Sequence, residues 1–583
     1  MILSALASYY EILAQRGEAP VPGWEKGKVT FALCINKEGQ LTDLLPTTEQ
    51  VERGKKLVSV PKAMALPLGA KRTVGVEPNF LWDNATYLLG LPKKNPERDL
   101  LCYQSSVQLH RRLLEPVEHP AAQAVCRFFQ GWEPAKAVEH PVLLPYLEEL
   151  QKGGNLVFRV DGEYLHDIPA VKAVWDREYS QTPADAVLGQ CLITGERTQV
   201  ARLHTAIKGV QGAQSSGAAL VSFNADAFCS YGKEQNYNAP VSEKAAFAYT
   251  TALNTLLADQ NHRLVLGDTT VIWWAIPPNV ETAPAYADFF AGMLDPDRNN
   301  TFSEKDLACG MDAIRQGKSF PFQEAELHPG TPFFILGLAP NAARLSVRFF
   351  YQDSFGDMGK NILAHYERLE ITRPSSAPKY LSPWGMIRET ANQNAKDKTP
   401  PKILTGAIMQ AILANTPYPP SLFSSILLRI RATRNINWRQ AAILKAYFLK
   451  SPHKDVPEEV LRMDPNASHV PYVLGRLFSV LEAIQLAAIP NIKTTIRDNY
   501  FSSASTTPGY VFSTLIDRAQ KHLKKLPIGQ RKFFEDQLIK LSAQIGETCP
   551  ERMTPQQRVS FQLGYYYQTQ IRYSKKEGEK DNG

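Results

Sequence analysis

Residues 375–401 divide this chain between two kinds of sequence. The stretch is polar and rich in proline, and its run ANQNAKDKTPP offers no apolar period that a helix or strand could bury. Before it, short alternating apolar runs are broken by turn residues; after it, apolar positions recur at helical spacing between single prolines. The class this implies is α+β, a mixed α+β N-terminal region with β-hairpins followed by an all-α C-terminal helical bundle. With 583 residues, 44% of them hydrophobic, the chain is expected to form two or three domains. Residues 1–400 read as an α+β recognition region, 401–462 as a basic helical connector and 463–583 as the bundle.

Local signals fill in this division. The opening MILSALASYYEIL predicts an amphipathic helix with Ile2, Leu6, Tyr9 and Leu13 inward. Hairpins are expected around Asn36 to Gly39 and around Asp161 and Gly162, the latter a two-residue turn pair between β-prone runs. Helical spacing covers 104–129 and 143–150, and TTVIWWAI reads as a buried strand. Strands are expected over 333–338 and 345–351, with Arg344, Ser346 and Arg348 on one face and Leu345, Val347 and Phe349 toward the core. Helices follow over 421–433 and 438–450, with Asn437 as N-cap, then over 470–489, 509–526, 529–545 and 555–571. The closing SKKEGEKDNG reads as a disordered tail.

The formal net charge of +7 is unevenly spread. Between Lys402 and Lys450 there are seven basic residues and no acid, and from Met463 onward sixteen basic residues face eleven acidic ones. Arg429, Arg431, Arg434 and Arg439 fall close together, which favours a polyanionic partner, with a solvated helix face as the alternative. Arg518, Lys521, Lys524 and Lys525 make a second basic stripe at helical steps. The seven cysteines are scattered, as in a reduced cytoplasmic protein, and no uncharged run reaches membrane-spanning length, so a soluble chain without a membrane partner is expected.

From Gly209 to Leu257 the sequence packs small residues and amides with little acid. Lys208, Gln211, Gln214, Ser215, Ser216 and Asn238 are candidates to read base edges or hold phosphate oxygens; the alternative is a polar loop whose amides satisfy its own backbone. Lys71 and Arg72, in a glycine-containing loop with Asn79 just beyond, are candidate groove readers, although Asn79 and Asn84 equally suit turn or helix-capping positions.

The wording GAQSSGAALVSFN followed by SYGKEQNYNAPVSEKAAFAY resembles the large subunit of the type I-C CRISPR Cascade surveillance complex. CLITGERTQVARLHTAIKGVQG, FILGLAPNAARLSVRFF and PNFLWDNATYLLG are similar to further motifs of that family. The resemblance implies a subunit in antiviral defence that recognises a T-rich motif flanking double-stranded target DNA, wedges the strands apart, stabilises the R-loop and helps recruit a helicase-nuclease in trans. It also implies CRISPR guide RNA, the displaced single strand and other Cascade subunits as partners. In that picture Lys71, Arg72, Asn79, Gln211, Gln214 and Ser215 lie near the duplex motif or wedge. Arg344 and Arg348 lie beside nucleic acid, and Arg429, Arg431, Arg434 and Arg439 line a strand's path. Relatives also make a small subunit from an internal start, for which Met463 is well placed.

Enzyme signals are poor. There is no H-E-x-x-H pair, Walker loop or dinucleotide fingerprint, so no catalytic residue, cofactor or metal is expected. Asp295 to Asp306 mimics a calcium loop, but Asn300 replaces its glycine, and Ser303 with Asp306 equally suits a helix cap. Cys191 with His204 could pair as nucleophile and base, yet a cysteine beside a β-prone run is more commonly buried. The alternatives are a metal-dependent nuclease whose acids meet only on folding, or a protein-only scaffold.

Overall fold

The computed structural model describes residues 1–53, 56–70, 75–92, 95–181, 186–296, 303–392, 400–546 and 549–580. Strands concentrate in the N-terminal part and helices in the C-terminal part, giving the α+β class. The chain forms two compact units, one of Leu6–Thr205 with Phe223–Ala252, the other of Met1–Ala5, Ala206–Ser222 and Leu253–Gly583. The opening helix Ile2–Gln15 buries Leu6, Tyr9 and Leu13 as its period requires.

In the unit containing Leu6–Thr205, strand Phe31–Ile35 pairs antiparallel with Leu41–Pro46 and parallel with Leu156–Val160. The hairpin from Leu156–Val160 to Glu163–Tyr164 turns at Asp161 (φ 50°) and Gly162 (φ 93°). Two successive left-handed residues match the strand twist, which is why this pair makes a tight turn. Helices Pro96–Leu114 and Pro120–Gly131 add Leu113, Val125 and Phe128 to the core that also holds Leu33 and Phe158. A second sheet, Trp24–Val29, Lys56–Pro67 and Thr48–Arg53, was not expected from sequence. Its middle strand carries Pro61, which argues against a central strand. The contradiction is local: Pro61 pairs with Thr48 on one side, while on the other the pairing with Trp24–Val29 ends at Lys62.

The other unit is built on an antiparallel sheet ordered Arg263–Leu266, Thr269–Ala275, Pro332–Asn341, Arg344–Ser354. Every residue of Thr269–Ala275 is buried, as a continuous apolar run implies for a central strand. Trp273 donates its indole N–H to the Ala287 carbonyl at 3.1 Å and Trp274 stacks on Phe334 at 5.3 Å. The expected alternation in Arg344–Ser354 breaks at a bulge. Gly337 pairs with Phe349 and Leu338 with Val347, leaving Arg348 as the extra residue. Val347, expected in the core, is therefore 41% exposed.

The composition break at 375–401 falls inside this unit, and one apolar core runs from Leu264 to Tyr566 across it. Within the segment read as lacking structure, Pro383–Arg388 is a helix; Ser382 caps it by accepting the Gly385 N–H at 3.2 Å, with proline at its first position. Helices Pro420–Thr433 and Trp438–Lys450 meet at the expected break, where Asn437 and Gln440 form a reciprocal capping box. Ser303 and Asp306 likewise form a capping box, the helix-start alternative to a calcium loop, while Asp297, Asn299, Asn300 and Thr301 lie outside the described residues.

Beyond Met463 come Val470–Ala488, Ile496–Thr506, Pro508–Leu523, Ile528–Ile545 and Pro555–Lys580. The last runs on to Lys580, into the residues read as a tail, of which Asp581, Asn582 and Gly583 lie outside the described residues. Val470–Ala488 is long and apolar enough to cross a membrane, yet 78% of that stretch is buried within the protein. It crosses Pro555–Lys580 backbone to backbone: a Cβ on Gly475 would stand 1.9 Å from the Phe561 carbonyl oxygen, and one on Gly564 2.1 Å from that of Tyr472. Beside the crossing, buried Glu482 accepts from the Tyr565 hydroxyl at 2.7 Å and the Thr495 hydroxyl at 3.0 Å.

Candidate nucleic-acid interface

The sheet of the second unit carries a polar loop at one end. Ile207 and Ala218 exchange backbone hydrogen bonds of 2.8 and 2.9 Å, closing residues 208–217 into a loop. Ala219 then bridges to the arginine strand, donating to the Ala343 carbonyl at 3.0 Å and accepting from the Leu345 N–H at 2.9 Å. The Asn254 amide accepts the Lys208 N–H at 2.8 Å and donates to the Ala206 carbonyl at 3.2 Å, and the Thr270 hydroxyl accepts the Gln211 N–H at 3.0 Å. The loop is thus held through its backbone, while the side chains of Lys208, Gln211, Gln214, Ser215 and Ser216 are exposed. Arg344 sits half-buried on the adjoining strand. Arg348 is spent differently, in an ion pair of 3.0 Å with Asp268.

Asn238, in the other unit, uses its amide on its own loop. Its oxygen accepts the Ser230 N–H at 2.9 Å, and its nitrogen donates to the Lys233 and Gln235 carbonyls at 3.0 and 2.9 Å. Asn79 is 7% exposed rather than facing a groove, and its oxygen accepts the Ala70 N–H at 2.9 Å. Together with Glu25, which accepts the Gly69 N–H at 3.0 Å, it fixes Gly69 and Ala70; Lys71 and Arg72, which follow, lie outside the described residues. Asn84 caps helix Ala85–Leu89. Buried Leu81 sits at φ 68° and donates its N–H to His110 Nε2 at 2.9 Å, with His110 Nδ1 against the Ser106 carbonyl at 2.7 Å. These partners require a neutral ring protonated at Nδ1, and burial pushes the His110 pKa down to about 4.

The arginine-rich helices are less available than their sequence implies. Glu389, distant in sequence, stands 3.7 Å from Arg439, which also lies over the Trp438 ring at 5.3 Å. Arg434 adopts φ 52° and bonds the Asp498 carbonyl. Lys445 donates to the Glu370 carbonyl and Lys450 to the Asn415 carbonyl. Arg429 and Arg431 have no acid within ion-pair reach among the described residues. Arg431 lies close enough to Arg558 to lower that guanidinium's pKa, after burial. Sequence reasoning missed Trp384 and Arg388, which line a cleft of about 680 Å³ with Glu389 and Arg439; the signal available was the Ser382–Pro383 helix start.

Cys191 is buried, its sulfur receiving the Ser242 and Ile193 N–H groups at 3.3 and 3.4 Å. Burial raises its pKa, but the hydrogen bonds from Ser242 and Thr194 outweigh that and bring it to about 7. His204 meets the Tyr249 hydroxyl at 2.6 Å, not the thiol.

The profile of the CRISPR-associated protein family Cas_Csd1 matches residues 6–573. This chain belongs to that family. Membership in Cas_Csd1 gives it a role in CRISPR defence. No curated protein matches the chain. The match takes in both compact units, so the loop 208–217, its bridge to the arginine strand and the arginine helices are all parts of a Cas_Csd1 protein.

Proposed function

We propose that this chain is the non-catalytic large subunit of a type I-C CRISPR Cascade complex. It reads the motif flanking a target in double-stranded DNA, promotes strand separation, stabilises the R-loop and helps recruit a helicase-nuclease, while guide RNA pairing supplies sequence specificity. The observation that carries this reading is the loop 208–217. Neutral donors and acceptors stand outward on a backbone held by Asn254, Thr270 and the bridge to Arg344. Base reading needs groups of this kind held without competing contacts, because a side chain already bonded within its own fold must break that bond to recognise a base. Arg429 and Arg431 supply phosphate contacts.

The test is gel-shift binding of the assembled complex to targets with and without the flanking motif, for wild type and for Lys71→Ala and Gln214→Ala. Lost discrimination with assembly intact supports the reading; unchanged discrimination in both variants refutes it. The helices after Met463 pack on one another, which favours a separately made small subunit beginning there. Mass spectrometry of the products of the coding sequence tests this, and absence of a fragment starting at Met463 overturns it.

A further inference from the structure

Arg348 is the residue that the bulge in Arg344–Ser354 adds, and bulges commonly re-aim a side chain. Its guanidinium reaches over the neighbouring strand Pro332–Asn341 to Asp268, Nη2 donating to Oδ2 at 3.0 Å. The carboxylate is held in place. Its other oxygen accepts the Thr269 hydroxyl at 3.1 Å. In the same turn Gly267, at φ 64°, packs so closely on Thr405 that an added Cβ would stand 3.2 Å from its hydroxyl oxygen.

This pair lies at the foot of the loop 208–217. Thr270, two residues after Asp268, accepts the Gln211 N–H at 3.0 Å. On the intervening strand, Pro340 Cγ lies 3.4 Å from where a Cβ on Gly212 would stand, and Pro340 pairs with Leu345 of the bulged strand. The fold thus sets a carboxylate against a guanidinium beside a loop whose residues from Gln211 to Ser216 are all uncharged. Opposite charges 3.0 Å apart act on a more distant phosphate only as a dipole, which salt screens beyond about 8–10 Å. A guanidinium left alone there would gain charge-assisted bonds from the phosphates that every duplex carries. Base contacts hold a motif-bearing duplex in one register, whereas a lone guanidinium admits any register that offers a phosphate. Silencing it therefore weakens the unselective mode more.

We propose that Asp268 is a specificity-determining residue: it neutralises Arg348 beside the loop 208–217, so that this guanidinium gives no phosphate anchor to a duplex lacking the flanking motif. The proposal rests on the reading of that loop as the motif reader.

The experiment measures binding of the assembled complex to duplexes with and without the motif over a range of salt concentrations. Asp268→Asn keeps the shape of the side chain and removes its charge. It is expected to tighten binding to the motif-free duplex about fivefold, to steepen that duplex's slope of log K against log salt by about 0.9, and to lower the preference for the motif. Arg348→Gln alone is expected to leave the slope as in wild type, and Asp268→Asn with Arg348→Gln to return slope and preference to wild type. An unchanged slope in Asp268→Asn overturns the proposal while leaving motif reading standing. A slope lowered by Arg348→Gln alone makes Arg348 a phosphate contact in spite of its partner, and also overturns it. If Asp268→Asn loses binding and the double variant does not recover it, Asp268 is structural and the proposal falls. If the wild-type complex shows no preference for the motif, the reading of the loop itself falls, and the proposal with it.

Discussion

The loop 208–217 and the helix pair 420–450 both invite a nucleic-acid reading by composition, and the structure treats them in opposite ways. The loop spends backbone groups on its anchors and keeps its side chains outside. The helices spend much of their charge internally: Arg434 and Lys445 on carbonyls, Lys450 on Asn415 and Arg439 beside Glu389. A count of basic residues therefore overstates what those helices can give a phosphate backbone, whereas the amide-rich loop retains its donors and acceptors.

The contrast is sharpest if the loop alone is stripped. Gln211→Ala with Gln214→Ala should reduce the preference for targets bearing the flanking motif by about 1–3 kcal/mol, the worth of one good base-reading pair. The salt dependence of binding should stay unchanged, and competition gel shifts at two salt concentrations read both. Asn254→Ala removes the loop's anchor and leaves the Lys208 N–H without its acceptor, a cost of about 1–2 kcal/mol. Limited proteolysis should then cut between 208 and 217, and a wild-type digestion pattern would break the view that Asn254 fixes the loop. Among the arginines, Arg429→Ala with Arg431→Ala should lower the slope of log K against log salt by about 1.4 on a single strand. Arg434→Ala with Arg439→Ala should change that slope less and lower the melting temperature more; equal slopes for the two pairs would erase the distinction.

The smallest effect concerns Lys445, whose pKa burial pushes below its usual 10.5. Between that lowered value and 10.5 the unfolded chain binds more protons than the folded one, so this group's contribution to stability rises with pH across the window. Lys445→Met should remove that rise from a series of melting curves.

The parts of the fold that were legible in the sequence are those fixed by neighbours in the chain. The turn at Asp161 and Gly162 and the cap at Asn437 depend on a few adjacent residues, and both form as their residue types require. The parallel pairing of Phe31 with Leu156 and the return of Ala206–Ser222 to the later unit depend on contacts between distant segments, which no local period encodes. The site divides along the same line. Exposed amides at 208–217 were visible as composition, but that Asn238 serves its own loop, that Asn79 turns inward to Ala70 and that Glu389 reaches Arg439 are facts of folded geometry.

Where Gly475 meets the Phe561 carbonyl, two helices far apart in sequence share a seam with no room for even a methyl group. Both halves of the seam lie downstream of Met463. A polypeptide launched from that methionine inherits the seam whole, whereas one launched beyond Gly475 would leave Gly564 with an open furrow in place of its mate. The seam thereby marks how late a shortened translation product can begin and still close on itself.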